Sequence, residues 1–231
     1  MPIARWKDLC IDATDAHRMA RFWGAVLGLE VDLHDDGDAA LRGATPEETI
    51  WVNAVPEPRT VKQRVHIDLD VASTDAILAL GATPLVPAAE SGFRWSVLAD
   101  PEGGELCTFE RDGLPTAPPA LYELVVDTAD ALSAHAQAVW WGEVWGGTVV
   151  DDDRGFSWIE DVPGAPFDSI DFVPVPEPKT VKNRIHWDIT CDDVPALVAR
   201  GATVLAEPTP ATGWHVLADP DGNEVCAFAS S

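Results

Sequence analysis

The chain has 231 residues, enough for one large domain or two of about 115, and its composition is that of a globular rather than a disordered protein. Its formal net charge is −24, from 39 acidic and 15 basic side chains. Such a negative field repels nucleic acid and anionic membranes, so we expect neither as a partner.

Location is predicted from the N-terminus and the cysteines. The opening stretch MPIARWKDLC lacks the apolar segment of a signal peptide, and no apolar run approaches the ~18 residues of a membrane span. The cysteines form no CxxC pair: Cys10, Cys107, Cys191 and Cys226. We therefore expect reduced thiols in a cytoplasmic protein.

The first predicted elements are a strand, a helix and further strands. DLCIDA (8–13) is predicted as a strand, and a helix is expected to begin at Asp15 and end at the left-handed Gly28. Its apolar residues recur at helical spacing: Met19, Phe22, Trp23, Val26 and Leu27. Short strands then lead to TIWVNAV (49–55).

A second round of the same order follows. It opens with a strand at 64–71 and a short helix near 74–80, closed by Gly81. Three further strands are predicted near 83–86, 95–99 and 105–110, the last two joined by the turn DPEGG. The first half of the chain therefore reads as two βαβββ units.

The second half repeats the first. VPEPRTVKQRVHIDLD (55–70) returns as VPEPKTVKNRIHWDIT (175–190), with ten of sixteen positions identical. Likewise, VLADPEGGELCTF (97–109) returns as VLADPDGNEVCAF (216–228). A tandem duplication explains this self-similarity, whose offset stays between 115 and 120 residues along the chain.

The duplication predicts two domains and a linker. We expect a first domain at 1–113, a linker at 114–118 within the proline-rich GLPTAPPA, and a second domain at 119–231. Whether the four units pair within each copy or across the copies stays open.

The ordered motifs D…A.FW…LG, NR.H.D and LADP.GNE.C.F resemble the vicinal oxygen chelate superfamily, and within it the glyoxalase-like and bleomycin-resistance-like proteins. The resemblance implies an α+β fold of tandem glyoxalase-like domains, each with two βαβββ units that form a curved-sheet cup. Members include glyoxalases, epimerases, dioxygenases, thiol transferases and drug-sequestering proteins. A shared fold does not choose among these activities.

The resemblance also implies positions for a metal, because metal-using members take one ligand from the first and last strands of each unit. Those positions are Asp8, Asn53, His66 and Cys107 in copy one, and Glu123, Val173, His186 and Cys226 in copy two. The late-strand carboxylate is a cysteine in both copies, so no metal is favoured. The alternative is a divalent metal such as zinc on Asp8, His66 and Cys107, or on Glu123, His186 and Cys226.

Strand alternation supports a polar pocket independently of the resemblance. Arg64, His66, Asp68 and Asp70 share one face of a strand, and Val65, Ile67, Leu69 and Val71 share the other. The apolar face must pack against helices, so the polar face should line the cup. Trp95 and Trp214 precede the VLADP motif in each copy, where both a core position and a ligand-stacking position stay open.

The residues therefore predict a protein that binds a small organic molecule, with catalysis left open. Two alternatives stand beside it: a metal-dependent lyase, isomerase or dioxygenase that uses His66 or His186, and an antibiotic-sequestering protein. We expect the cups to differ, with the principal site around Asp8, Asn53, His66 and Cys107. A monomer is expected, and a homodimer stays open.

Overall fold

The computed structural model describes residues 2–114, 118 and 121–230. Most of the predicted linker, 114–118, lies outside the described residues. Within the described residues the chain forms four βαβββ units, in agreement with the order expected from the sequence.

The elements of each unit follow in chain order. Unit 1 contains β1 (Ala4–Ala13), α1 (Ala16–Leu27), β2 (Glu30–Leu33), β3 (Ala39–Arg42), a 3-10 turn (Pro46–Glu48) and β4 (Ile50–Ala54). Unit 2 contains β5 (Val65–Val71), α2 (Thr74–Ala79), β6 (Thr83–Val86), α3 (Ala88–Ser91), β7 (Ser96–Ala99) and β8 (Glu105–Glu110). Unit 3 contains β9 (Leu121–Thr128), α4 (Ala131–Trp145), β10 (Thr148–Asp151), β11 (Ser157–Glu160) and β12 (Ser169–Pro174). Unit 4 contains β13 (Ile185–Cys191), α5 (Val194–Ala199), β14 (Thr203–Ala206), β15 (His215–Ala218) and β16 (Glu224–Phe228).

Local sequence explains the bounds of α1. The Asp15 side chain accepts a hydrogen bond from the backbone N–H of Arg18, which satisfies one of the free donors at a helix start. Gly28 ends the helix in the left-handed conformation, with φ of 68°. Both ends were predicted from the sequence.

The four units form two eight-stranded sheets. Sheet 1 has the order β14-β15-β16-β13-β1-β4-β3-β2, and sheet 2 has the order β10-β11-β12-β9-β5-β8-β7-β6. Sheet 1 therefore joins unit 1 to unit 4, and sheet 2 joins unit 2 to unit 3. The question left open by the sequence is answered: the units pair across the two copies.

Two segments carry the chain between the sheets. Residues 55–64 lead from β4 in sheet 1 to β5 in sheet 2, and residues 175–184 lead from β12 in sheet 2 back to β13 in sheet 1. These crossovers contain the most closely repeated part of the sequence. A cavity of about 830 Å³ lies between them.

An arginine at the end of each crossover donates a hydrogen bond to the backbone of the other crossover. Arg64 donates from Nη1 to the backbone carbonyl of Glu177 at 2.6 Å. Arg184 donates from Nη1 to the backbone carbonyl of Glu57 at 2.5 Å. Both arginines also donate to a backbone carbonyl of a neighbouring strand. The repeated segments thus make the same contacts twice, in opposite directions.

Tryptophans join the two sheets through the core. Trp141 and Trp145 of α4 contact Trp187 of β13, with ring centroids 5.2 and 6.1 Å apart. Trp145 also contacts Trp6 of β1 at 6.3 Å. Because α4 belongs to unit 3 while β1 and β13 belong to sheet 1, this aromatic cluster buries the junction between the sheets.

None of the described helices is long and apolar enough to cross a membrane.

Candidate functional site

The polar face of each curved sheet, here called its cup, gathers the candidate residues. On β5, Val65, Ile67 and Leu69 lie in the hydrophobic core, while His66 and Asp68 project from the opposite face. The strand faces predicted from the alternating sequence are therefore confirmed.

The cup of sheet 2 is centred on a histidine–aspartate pair. His66 Nδ1 lies 2.8 Å from Asp68 Oδ1. Cys107 on β8 lies beside Asp68, and the three residues bring one donor atom each within 4.8 Å of one another. Burial alone would lower the pKa of His66, but the charge and hydrogen bond of Asp68 raise it above its ordinary value. Burial, followed by Asp68, raises the pKa of the Cys107 thiol far above its ordinary range.

Two carboxyls from unit 3 complete this cup. Glu123 on β9 lies opposite Asp68, and burial together with the charge of Asp171 raises its pKa to about 8. Burial raises the pKa of Asp171 to about 7. The hydrogen bond that Ser169 donates to this carboxyl lowers the pKa, and the charge of Asp68 raises it. The sequence interpretation missed Asp171, because it selected Val173, which lies two residues further along the same face of β12.

An aromatic wall borders the cup of sheet 2. The rings of Phe93 and Trp95 are stacked, with centroids 4.6 Å apart and planes 5° apart. Trp95 also stacks on Phe109, which contacts Tyr122 edge to face. Phe93 is 54% exposed. Trp95 does not belong to the buried core of the described residues, and its role in ligand stacking stays a prediction. Trp214 stacks on Phe228 in the same way in sheet 1.

The cup of sheet 1 has different chemistry. Asp8 on β1 lies opposite Asp188 on β13. Lys7 donates to Asp8 Oδ2 at 2.5 Å, and the indole of Trp51 donates to the same oxygen at 3.1 Å. Burial, followed by the charge of Asp8, raises the pKa of Asp188 to about 8. Trp51 occupies the position that Asp171 holds in sheet 2, so a ring replaces a carboxyl.

His186 lies in the cup of sheet 1, beside two thiols. It pairs with Cys10 in the register of β1 and β13, and Cys226 on β16 pairs with the neighbouring Asp188. Burial, followed by the charge of Lys182, lowers the pKa of His186 to about 4. Burial, followed by Asp188, raises the pKa of Cys226 to about 12.

The structure regroups the predicted site residues. Asp8 does not lie with His66 and Cys107, but in sheet 1 with His186 and Cys226. Glu123 lies in sheet 2 with His66 and Cys107. The predicted groupings assumed that the ligands of one cup come from one copy, whereas each sheet takes one unit from each copy.

Asn53 lies away from the centre of the cup. It pairs with Asp12 in the register of β4 and β1, and its side-chain amide donates to the Asp12 carboxylate at 3.3 Å. The predicted principal site around Asp8, Asn53, His66 and Cys107 is therefore not assembled at one place.

The metal implied by the family resemblance fits one sheet and not the other. In sheet 2 the first and last strands present Glu123, Asp171, His66 and Cys107, a donor set suited to a divalent ion. In sheet 1 the corresponding set contains Trp51, which cannot ligate a metal, and Lys7 already neutralises Asp8. Sheet 2 is thus the sheet whose residues match the implied metal.

Comparison with solved structures shows the same fold. Glyoxalase I from Zea mays is 14% identical, with 98% of this chain and 92% of that chain covered at a TM-score of 0.65. A candidate dioxygenase from Bacillus subtilis is 13% identical, with 99% and 86% covered at a TM-score of 0.66. The cppA protein from Streptococcus pneumoniae is 12% identical, with 99% of both chains covered at a TM-score of 0.50. At these identities the likeness concerns the fold alone.

No curated protein matches the sequence. The family model of the glyoxalase-like domain matches residues 8–109 and again residues 123–228, which are the two copies of the repeat. The chain therefore belongs to the glyoxalase-like domain family, in a tandem form whose fold is that of the vicinal oxygen chelate proteins.

Proposed function

We propose that the chain binds a small organic molecule in the cup of sheet 2 and that His66 exchanges a proton with it. The observation that carries this proposal is the buried His66–Asp68 pair facing Glu123 and Asp171. With pKa values of about 8 and about 7, these two carboxyls can donate or accept a proton near neutral pH.

The aromatic wall supports a ligand with a planar portion. The rings of Phe93 and Trp95 lie parallel, which suits an aromatic wall that packs against a flat group. A polar group of the same molecule would then reach His66. The negative charge of the cup favours a neutral or cationic compound over an anion.

A metal-dependent reaction in the same cup is the second candidate, and the donor set of sheet 2 favours it. Glu123, Asp171 and His66 would hold the ion. A divalent ion bound there would supply a Lewis acid for a carbonyl or hydroxyl oxygen. Asp68 would orient His66 through Nδ1, which leaves Nε2 as the nitrogen available to the ion or to the substrate.

A ligand screen tests the proposed function. Small planar compounds are screened by thermal shift, and hits are titrated by calorimetry against wild type and His66→Gln. We expect at least tenfold weaker binding to His66→Gln, because a polar ligand group loses its partner. His135→Gln is the matched control, since that histidine is half-exposed and pairs with Asp151 on the surface. Equal affinity for wild type and His66→Gln, or loss of binding only in His186→Gln, would contradict the proposal.

A further inference from the structure

A second cluster of potential donors lies in the cup of sheet 1. Cys10, His186 and Asp188 bring one ligand atom each within 4.8 Å of one another. Their exposed fractions are 5, 6 and 4%. Cys10 and His186 face each other across the antiparallel pair of β1 and β13, and Asp188 lies two residues further along β13. Well-ordered strands therefore hold all three.

Several polar atoms in this cluster have no partner among the described residues. They are His186 Nδ1, Asp188 Oδ1 and Asp8 Oδ1. A buried polar atom without a hydrogen bond costs about 1–3 kcal/mol, so such atoms are rare in a folded protein. In sheet 2 the equivalent histidine nitrogen is satisfied by Asp68. A proton shared between Asp8 and Asp188 satisfies oxygens of that pair, so the unpartnered atom that points to a bound species is His186 Nδ1.

The donor types indicate a metal ion rather than an organic group. Thiolate, imidazole and carboxylate are the three ligand types of protein-bound zinc. Lys7 pairs with Asp8 at 2.5 Å and lies 4.0 Å from Asp188 Oδ2. These two acids together with the Cys10 thiolate compensate both this ammonium and a doubly charged ion. A neutral imidazole from His186 adds no charge to the site.

This donor set differs from the one that the family resemblance implies. Cys10 and Asp188 each lie two residues beyond the implied positions on β1 and β13, and Trp51 blocks the implied position on β4. Sheet 2 cannot reproduce the set, because Val125 stands on β9 where Cys10 stands on β1. Sheet 2 does hold the same donor types in His66, Asp68 and Cys107, but its thiol comes from β8 and its His66 Nδ1 is already bonded to Asp68.

We propose that Cys10, His186 and Asp188 form a zinc-class metal site in sheet 1, separate from the proposed organic-ligand site in sheet 2. The site takes a borderline divalent ion such as Zn²⁺ or Co²⁺, with three protein ligands and a fourth position open. On binding, the Cys10 thiol releases its proton to solvent and ligates as the thiolate.

Cobalt titration of the full chain tests this proposal. The protein is stripped with a chelator and titrated with Co²⁺, whose thiolate complexes absorb in the near ultraviolet, and Zn²⁺ is then added as a competitor. We expect one equivalent of cobalt with a thiolate band, displaced by zinc. In Cys10→Ser the band should vanish and the affinity should fall at least tenfold.

Further variants keep the result interpretable. Asp188→Asn should retain the band but bind cobalt at least tenfold more weakly. This variant tests the proposal if Cys10→Ser does not fold. Cys191→Ser, also on β13 but packed in the core, is the matched control and should bind as wild type. A wild type without the band, or a band that survives Cys10→Ser, would overturn the proposal. So would a band lost only in Cys107→Ser, which would place the metal in sheet 2. None of these outcomes depends on the organic ligand.

Discussion

His66 and His186 occupy equivalent strand positions, and burial lowers the pKa of each, yet their net pKa shifts are opposite. His66 hydrogen-bonds Asp68, whose charge outweighs the desolvation of the imidazolium, so its pKa is raised. His186 has no such bond at Nδ1, so burial, followed by the charge of Lys182, lowers its pKa. The sequence predicted that both histidines face a cup, because alternation fixes the face of a strand. It could not predict which one bonds its aspartate, because the rotamers depend on neighbours from the other copy.

The buried carboxyl Glu123 makes the stability of the fold depend on pH. Its pKa of about 8 in the folded chain exceeds the ordinary value of 4.5, so the folded state binds the proton more tightly than the unfolded state. The wild type should therefore lose stability as the pH rises from about 4.5 to about 8. Glu123→Gln removes this loss, and we expect it to raise the free energy of unfolding at pH 8 by on the order of 2 kcal/mol.

Chemical denaturation at several pH values, in the presence of a chelator, measures this effect. Near pH 5 the variant and the wild type should differ little, since Glu123 is then mostly protonated in the folded chain. Glu143→Gln on the exposed face of α4 makes the same chemical change and should have no effect. A variant that is less stable than wild type at pH 8 would show that the ionised carboxylate is stabilising.

At the scale of the element, the crossovers explain why the chain repeats one stretch so closely. Lys62 pairs with Asp127, and Lys182 pairs with Asp12 in the other crossover. Arg59 pairs with Glu105 in the same way as Lys179 pairs with Glu224. Each crossover must bind its own sheet and the other crossover, so the same side chains are needed at both places. The repeat was visible in the sequence, but its role as two crossovers was not, because nothing local indicates which units pair.

The arginines of the crossovers should therefore be important for stability. Arg184 donates to two backbone carbonyls and pairs with Glu102 at 3.1 Å, and both side chains of that ion pair are largely buried. Arg184→Met keeps an unbranched apolar stem but removes the donor to both carbonyls and the cationic partner of Glu102. We expect the free energy of unfolding to fall by about 3 kcal/mol, measured by urea denaturation.

Arg154→Met is the matched control for that change. Arg154 pairs with Asp152 two residues away, and its side chain is 72% exposed. Solvent screens exposed ion pairs, so this variant should unfold close to wild type. A loss of the same size in both variants would mean that the contacts of Arg184 stabilise the fold no more than an exposed ion pair does.

At the scale of the whole molecule, the sequence repeat and the sheets divide the chain differently. The four βαβββ units were predicted because hydrophobic periodicity and turn residues act locally, and the α+β class was implied by the family resemblance. The pairing of units could not be predicted, because both copies carry nearly the same strand sequences. The pairing of units decides which strands share a cup. The predicted site residues therefore lie in the cups, but not in the predicted groups. The domain boundaries 1–113 and 119–231 stay a prediction that separate fragments can test.

Two fragments of similar length distinguish a fold organised by copies from one organised by sheets. Residues 57–176 contain every strand of sheet 2, whereas residues 1–113 contain half of each sheet and leave β1 and β5 without β13 and β9. We expect the 57–176 fragment to show a strand-rich circular dichroism spectrum and a cooperative thermal transition. Its Tm should lie below that of the whole chain, because Trp141 and Trp145 lose their contacts with sheet 1.

The 1–113 fragment should aggregate or dimerise through its unpaired strands, and an equimolar mixture with 119–231 should restore a complex of the size of the whole chain. A 1–113 fragment that unfolds cooperatively as a monomer would mean that the units can also pair within one copy.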